Sequence, residues 1–214
     1  MKKVSNKWQQ YFADLPAEKF GRHLFAEFED RAKSAAAEVF PVKTAAEARE
    51  AVANLAKYIN AKNIVIADSL LQQAGGIAAA LGKAGLAVYS QPADIAEQAE
   101  KADMGISTVE FGIAETGSVC QDAYAIESRL VSALPPVHVA FLNSNHIVAG
   151  VTEAMEVIAK AYDRGYISFI TGPSRTADIE RVLTIGVHGP KRFIIVAIDI
   201  ATDIAAADIC GGDQ

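Results

Sequence analysis

An α/β fold on a mostly parallel sheet is what this sequence predicts, and three observations predict it. From Thr44 onward, amphipathic helical stretches alternate with short apolar runs. Runs such as residues 64–67 (IVIA) and 193–198 (FIIVAI) lack polar alternation, which suits strands buried on both faces. The 214-residue chain is 51% hydrophobic and 21% charged, so a single globular domain can bury a sizeable core.

Taken in order, the first forty residues read as helical. Trp8, Tyr11, Phe12 and Leu15 fall at i, i+3, i+4 and i+7, and Phe20, Leu24 and Phe28 continue a stripe beyond Pro16. That face is expected to dock on the main core. Phe40-Pro41 is expected to end the helix, because a residue before proline avoids the α region. Residues 1–40 therefore read as an N-terminal helical extension, and 41–214 as one α/β domain.

Thr44 and Glu47 have capping-box spacing, ahead of a helix with Ala48, Val52, Leu55, Ala56 and Ile59 on its apolar face. A strand at 64–67 follows, then a helix capped by Asp68 or Ser69 with Leu70, Leu71, Ala74, Ile77, Ala78 and Leu81 as its stripe. Gly82 and Gly85 are placed to end it. Residues 86–89 read as a strand and Gln91-Pro92 as a turn. In the second half, 136–142 is a strand and 152–164 a helix with Ala154, Val157, Ile158 and Ala161 inward. A strand at 167–170, a short helix over about 174–184 and a final strand at 193–198 complete the pattern. Residues 103–133 depart from it: 112–115 read as a strand end, Thr116-Gly117 as a tight turn and 118–121 as the return strand.

Composition excludes several functions. A net charge of −6, with no basic run longer than two, argues against nucleic acid as a partner. The last sixteen residues carry Asp199, Asp203, Asp208 and Asp213 and no basic residue. No apolar stretch reaches the roughly 18–20 residues that span a bilayer, and no apolar run follows the initial lysines, so a cytoplasmic protein is expected. Cys120 and Cys210 are the only cysteines, too few for a disulfide framework or a four-thiolate cluster. The four histidines are too dispersed for metal-ligand spacing, and no G-x-G-x-x-G or G-x-x-x-x-G-K-[ST] occurs. No metal or cofactor is expected on this chain alone.

Three segments carry candidate chemistry. Glu115, before Thr116 and Gly117, sits at a strand end on the sheet's rim, where open α/β sheets bind ligands. There it accepts a proton, attacks as a nucleophile or binds a hydroxyl; otherwise it pairs with a nearby cation while Gly117 supplies a positive φ. The loop Gly172-Pro173-Ser174-Arg175-Thr176, read as leading into a helix, either binds an anion through backbone N–H groups and Arg175 or is an ordinary cap. Asp178 and Glu180 count against the anion. The loop 186–192 places His188 and Lys191 before the last strand, as a functional histidine or as a solvated turn. His138 reads as a hydrogen-bonded core histidine, Asn143, Asn145 and His146 as a polar loop, and Cys120 as a small buried hydrophobe.

IAETGS at 113–118, PPVHVAF at 135–141, GPSRTADIE at 172–180 and GVHGPKR at 186–192 together resemble the lactate utilisation protein C family, also called the LUD domain. The resemblance covers about residues 40–200. It implies a three-layer, Rossmann-like fold of the ribose-5-phosphate isomerase, CoA-transferase and 5-formyltetrahydrofolate cyclo-ligase type. It also implies a bacterial role in L-lactate oxidation to pyruvate, alongside two partner proteins that carry iron–sulfur clusters. Its matching residues make Glu115 and His188 the catalytic candidates, with Thr116, Gly117, Gly172, Ser174, Arg175, Thr176, Asp178 and Lys191 as ligand-binding candidates. Relatives follow the last strand's aspartate with an Asn-Gly-Arg-like turn, whereas Asp199 here precedes Ile200-Ala201-Thr202-Asp203. The expected ligand is a small anion or nucleotide-like group. The alternatives are a stand-alone CoA-transferase-like or cyclo-ligase-like enzyme using Glu115, and a non-catalytic assembly subunit.

Overall fold

The computed structural model describes residues 8–67, 69, 76–161, 165–176, 184–186 and 188–199. Its centre is a six-stranded, wholly parallel sheet in the order β1-β12-β7-β4-β2-β3, formed by β1 (Glu38–Val42), β2 (Asn63–Ile66), β3 (Ala87–Tyr89), β4 (Met104–Thr108), β7 (Val137–Asn143) and β12 (Arg192–Ile198). The order reverses between β2 and β4.

One face of this sheet packs on α3 (Ala45–Tyr58) and α4 (Ile77–Lys83). Ala48, Val52, Ala56, Ile77 and Leu81 meet Ile64, Ile66, Ile106, Val139, Phe141, Ile194 and Val196 there. Thr44 caps α3 by accepting from Glu47 N at 3.1 Å, and the Glu47 carboxylate returns to Lys43 N at 2.7 Å. On the opposite face, α2 (Phe25–Ser34) sends Phe25, Phe28 and Ala32 against Ala140, Leu142, Phe193 and Ile195. Further along that face, Ile95 of α5 (Pro92–Gln98) and Val131 of α6 (Ile126–Ala133) cover Val65 and Ala67. The three-layer α/β expectation holds.

A second, four-stranded sheet, β8-β5-β6-β9, contains β5 (Phe111–Ile113), β6 (Ser118–Asp122), β8 (Ile147–Val148) and β9 (Ile167–Ile170). The hairpin read at 112–121 is present, with Ile113 opposite Ser118. Outside it lie α1 (Gln9–Phe12) and α7 (Val151–Ala161), and Trp8 and Phe12 pack on Phe111 with centroids 6.0 and 5.7 Å away. The docking face expected of the first aromatic residues is thus found, although the helix there is one turn long.

Several sequence readings need correction. The second helix stops at Ser34, ahead of Ala36 at φ 67°, and Phe40-Pro41 lies within β1 rather than ending a helix. Proline is tolerated because β1 is an edge strand. Val42 O faces β12, accepting from Asp199 N at 2.9 Å, so by alternation the missing Pro41 N–H falls on the unpaired side. Pro92 opens α5 at its first position rather than closing a turn. Met104–Thr108, within the stretch read as irregular, is a central strand whose Gly and Ser masked its apolar run. Gly105 is required there, since a Cβ would run into Val131 O of α6. Strand β9 joins the second sheet, antiparallel to β6, instead of extending a βαβ unit. Where a helix over 174–184 was expected, the described ends are extended: β10 (Arg175–Thr176) pairs antiparallel with β11 (Thr184–Ile185). Residues 177–183, including Asp178 and Glu180, and the proposed cap at Asp68 lie outside the described residues.

Candidate functional site

Glu115 stands in the turn between β5 and β6. Gly117 takes φ 66°, and a Cβ there would strike the backbone N of Ala32, so the turn is pressed against α2. The exposed Glu115 side chain turns the other way, and its Oε2 accepts from Val151 N, the first residue of α7, at 3.0 Å. Its own N–H donates to Ala149 O at 3.0 Å. A Cβ on Gly150 would approach that Oε2 to 2.7 Å, so the glycine lets the carboxylate close over the helix start. Beside it, Lys19 Nζ lies 3.1 Å from Glu153. Glu153's own backbone N–H, and then Lys19, hold its carboxyl below the usual range. This is how carboxylates cap a helix N-terminus.

The 172–176 loop faces the C-terminal end of α2. Gly172 sits at φ 71° against Ala35 O, and Arg175 Nη2 donates to that same carbonyl at 2.6 Å. Thr171 Oγ1 meets Ser118 Oγ at 2.6 Å, and Ser118 N donates to Thr116 Oγ1 at 3.3 Å. With Arg175 and Thr176 in β10, the free amides of a helix start are not what this loop offers at those positions. Arg175 instead caps α2.

The same loop is tied to the third segment. Ser174 N donates to Pro190 O and Gly186 N to Ser174 O, both at 2.9 Å. Gly186 is at φ 74° with the Lys191 side chain folded over it, and a Cβ on Gly189 would lie 3.0 Å from Ser174 Cβ. Beside this knot opens a cavity of about 370 Å³, lined by Ala133, Leu134, Pro136, Gly186, His188, Gly189 and Lys191. His188 and Lys191 are exposed. Because Pro136 precedes β7 and Lys191 precedes β12, the cavity lies at the strands' amino ends. The rule that places ligands at carboxyl ends pointed to the other rim.

Two of the three expected loops therefore meet directly, and the turn at 116–118 joins them through Ser118 and Thr171. The carboxylate of Glu115 is turned to α7. Among the described residues that line the cavity, His188 and Lys191 are candidates from the sequence, while Glu115 and Arg175 are not there. Among the described residues, no group of three His, Cys, Asp or Glu could hold a metal ion.

Further polar groups are enclosed away from that cavity, and of these Glu110 and Thr108 were not singled out by the sequence reading. Glu110, just past β4, has its carboxyl pushed up to about 8, by burial first and then by the Asp122 charge, against a hydrogen bond from the Asp122 backbone. It donates its own N–H to Cys120 O at 2.8 Å. Burial, with Glu110 and Asp122 adding to it, pushes the Cys120 thiol up, so it is the inert core residue expected. Burial also holds His146 below the usual histidine range, against a hydrogen bond to the Glu110 carbonyl. Its Nε2 takes the Asn143 amide at 3.2 Å and its ring packs on Phe12 at 5.1 Å. Ser69 and Thr108 hydroxyls meet at 2.7 Å across the point where the strand order reverses. His138 is wholly buried with its Nε2 2.8 Å from Ser107 Oγ, as read. The one signal for Glu110 was an acid directly after a buried run, and that run was hidden by glycine and serine.

Residues 25–198 match the model of the LUD domain. Among curated relatives, a protein named Lactate utilization protein C from Anoxybacillus flavithermus is 33% identical over 137 residues, which cover 63% of this chain and 62% of that protein. An uncharacterized protein, YkgG, of Escherichia coli K12 is 35% identical over 162 residues, 72% of this chain and 70% of that one. A Lactate utilization protein C of Bacillus subtilis is 35% identical over 123 residues, covering 53% and 51%. The chain thus spans from about half to 70% of these relatives' length. A crystal structure of a DUF162 family protein from Deinococcus radiodurans matches 82% of this chain and 96% of its own, with TM-score 0.58 and 22% identity, a likeness of fold.

Proposed function

Because this chain belongs to the LUD domain family, which its residues 25–198 match, we propose that it is a component of an L-lactate utilisation system that oxidises L-lactate to pyruvate. The observation that carries this reading is the family match, together with curated relatives named Lactate utilization protein C. In this reading the electron-carrying iron–sulfur clusters belong to cytoplasmic partner proteins, since two cysteines cannot supply a four-thiolate cluster.

The part assigned to this chain is binding a small anionic or nucleotide-like ligand in the cavity beside His188 and Lys191. Lys191 contributes a positive charge and His188 at least one N–H donor in either tautomer. Gly172, Ser174 and Arg175 act on that site by position, fixing the 186–191 loop against β7 and α2. Thr116 and Gly117 hold the adjoining turn; Thr176 and Asp178 remain ligand candidates by family resemblance. The stand-alone reading, with Glu115 as base or acyl acceptor, requires its carboxylate to leave Val151 N.

Deletion of the gene tests the role. Growth on L-lactate should be lost and should return with the wild-type chain, but not with a His188→Ala, Lys191→Ala double variant. Undiminished growth of the deletion strain, with no second lactate oxidation system present, rejects the reading.

A further inference from the structure

The cavity that the proposed function uses is larger and more lopsided than a three-carbon acid needs. Its volume of about 370 Å³ matches the liquid volume of about a dozen waters. Lactate, with six bonded non-hydrogen atoms each taking less room than a separate water, would fill less than half of that. The walls are also divided by chemistry. Lys191 and His188 stand on the loop before β12, while Ala133, Leu134 and Pro136, from the end of α6 to the start of β7, supply its apolar lining. Leu134 is 46% exposed. No carboxylate lines the cavity among the described residues, although acids outnumber bases in the whole chain by 26 to 20.

A site with a cationic side and an apolar side selects ligands divided in the same way. We propose that this cavity takes an amphiphilic anion: a carboxylate or phosphate head at Lys191 and His188, carrying an apolar body longer than three carbons that lies along Leu134, Ala133 and Pro136. The inference rests on the reading of this cavity as the anion site and adds the ligand's class. Lactate is then not the molecule that this cavity holds, and the cavity's contribution to the pathway is made through a larger anion.

A chain-length series on the full-length protein tests this, with binding followed by isothermal titration calorimetry. The probes are acetate, L-lactate, butyrate and hexanoate, with hexan-1-ol as the uncharged control. A fully buried methylene is worth about fourfold in affinity, and one on an open wall about twofold. Hexanoate is therefore expected to bind at least about tenfold more tightly than acetate or L-lactate, and hexan-1-ol more weakly than hexanoate. Leu134→Ser, at a half-exposed position, should remove most of the gain with chain length and leave acetate unchanged. Lys191→Met should weaken all the anions and leave hexan-1-ol unchanged. Equal affinities along the series, insensitive to Leu134→Ser, overturn the amphiphilic class while leaving the anion site standing. If no anion of any length binds a chain whose circular dichroism is native, the site reading itself fails.

Discussion

Replacing Glu110 with glutamine should stabilise this protein in mild alkali, and the size of the effect follows from the place of Glu110 in the fold. Its carboxyl is raised from 4.5 to about 8, mainly by burial and secondly by Asp122. The folded state therefore holds a proton that the unfolded chain releases near 4.5. Stability from this group is fully present below pH 4.5 and is lost as pH rises through about 8. The full difference corresponds to about 5 kcal/mol. Since the residue keeps some exposure, about 2–5 kcal/mol is the expected range. Glutamine keeps the shape and the acceptor for the Asp122 N–H but cannot ionise. Urea unfolding from pH 4.5 to 9 should give matching stabilities at the acid end and a widening advantage for Glu110→Gln towards pH 9. Taking the difference between the two proteins cancels the histidines, which titrate in both. Parallel stability curves across that window would refute the assignment of an uncharged Glu110 at neutral pH.

Acid should destabilise the fold for the opposite reason. His138 is lowered to about 3 and His146 is lowered as well, both by burial, so stability present above pH 6.5 falls as pH drops towards 3. The slope approaches about 1.4 kcal/mol per pH unit for each histidine, and His138→Gln should flatten it in urea titrations between pH 6.5 and 4. Gly117→Ala should cost about 2–4 kcal/mol, from the positive φ and the collision with Ala32, seen as a drop in thermal midpoint. Arg175→Ala should cost about 1 kcal/mol by removing the donor to Ala35 O, and Arg175→Lys should recover little of it.

Much of the layered architecture was legible in the sequence because burial on both faces writes apolar runs that need no partner to be recognised. Residues 64–67 and 193–198 are of that kind, and the helix after Thr44 was legible from its cap and its single apolar face. What escaped depended on non-local pairing. Strand β4 is a central strand because Ile64 and His138 flank it, while its own letters, MGIST, look like a loop. Likewise, β1 forms around a proline because, among the described residues, it pairs with β12 alone. For the site, the sequence picked out the loops at 172–176 and 186–192, which lie together. It could not see that Glu115 and Arg175 are engaged at the ends of two different helices. Glu110 was passed over because nothing local shows that a lone acid will be enclosed.

Pro41 has a consequence for how copies of this protein can meet. The outer margin of β1 lacks one backbone donor in a strand of only five residues, so an incoming strand would find an interrupted ladder. Growth of the central sheet from molecule to molecule, the first step towards a fibril, is blocked at that margin. Self-association at that margin must then be built from side chains, which point mutations can tune, rather than from the backbone, which they cannot.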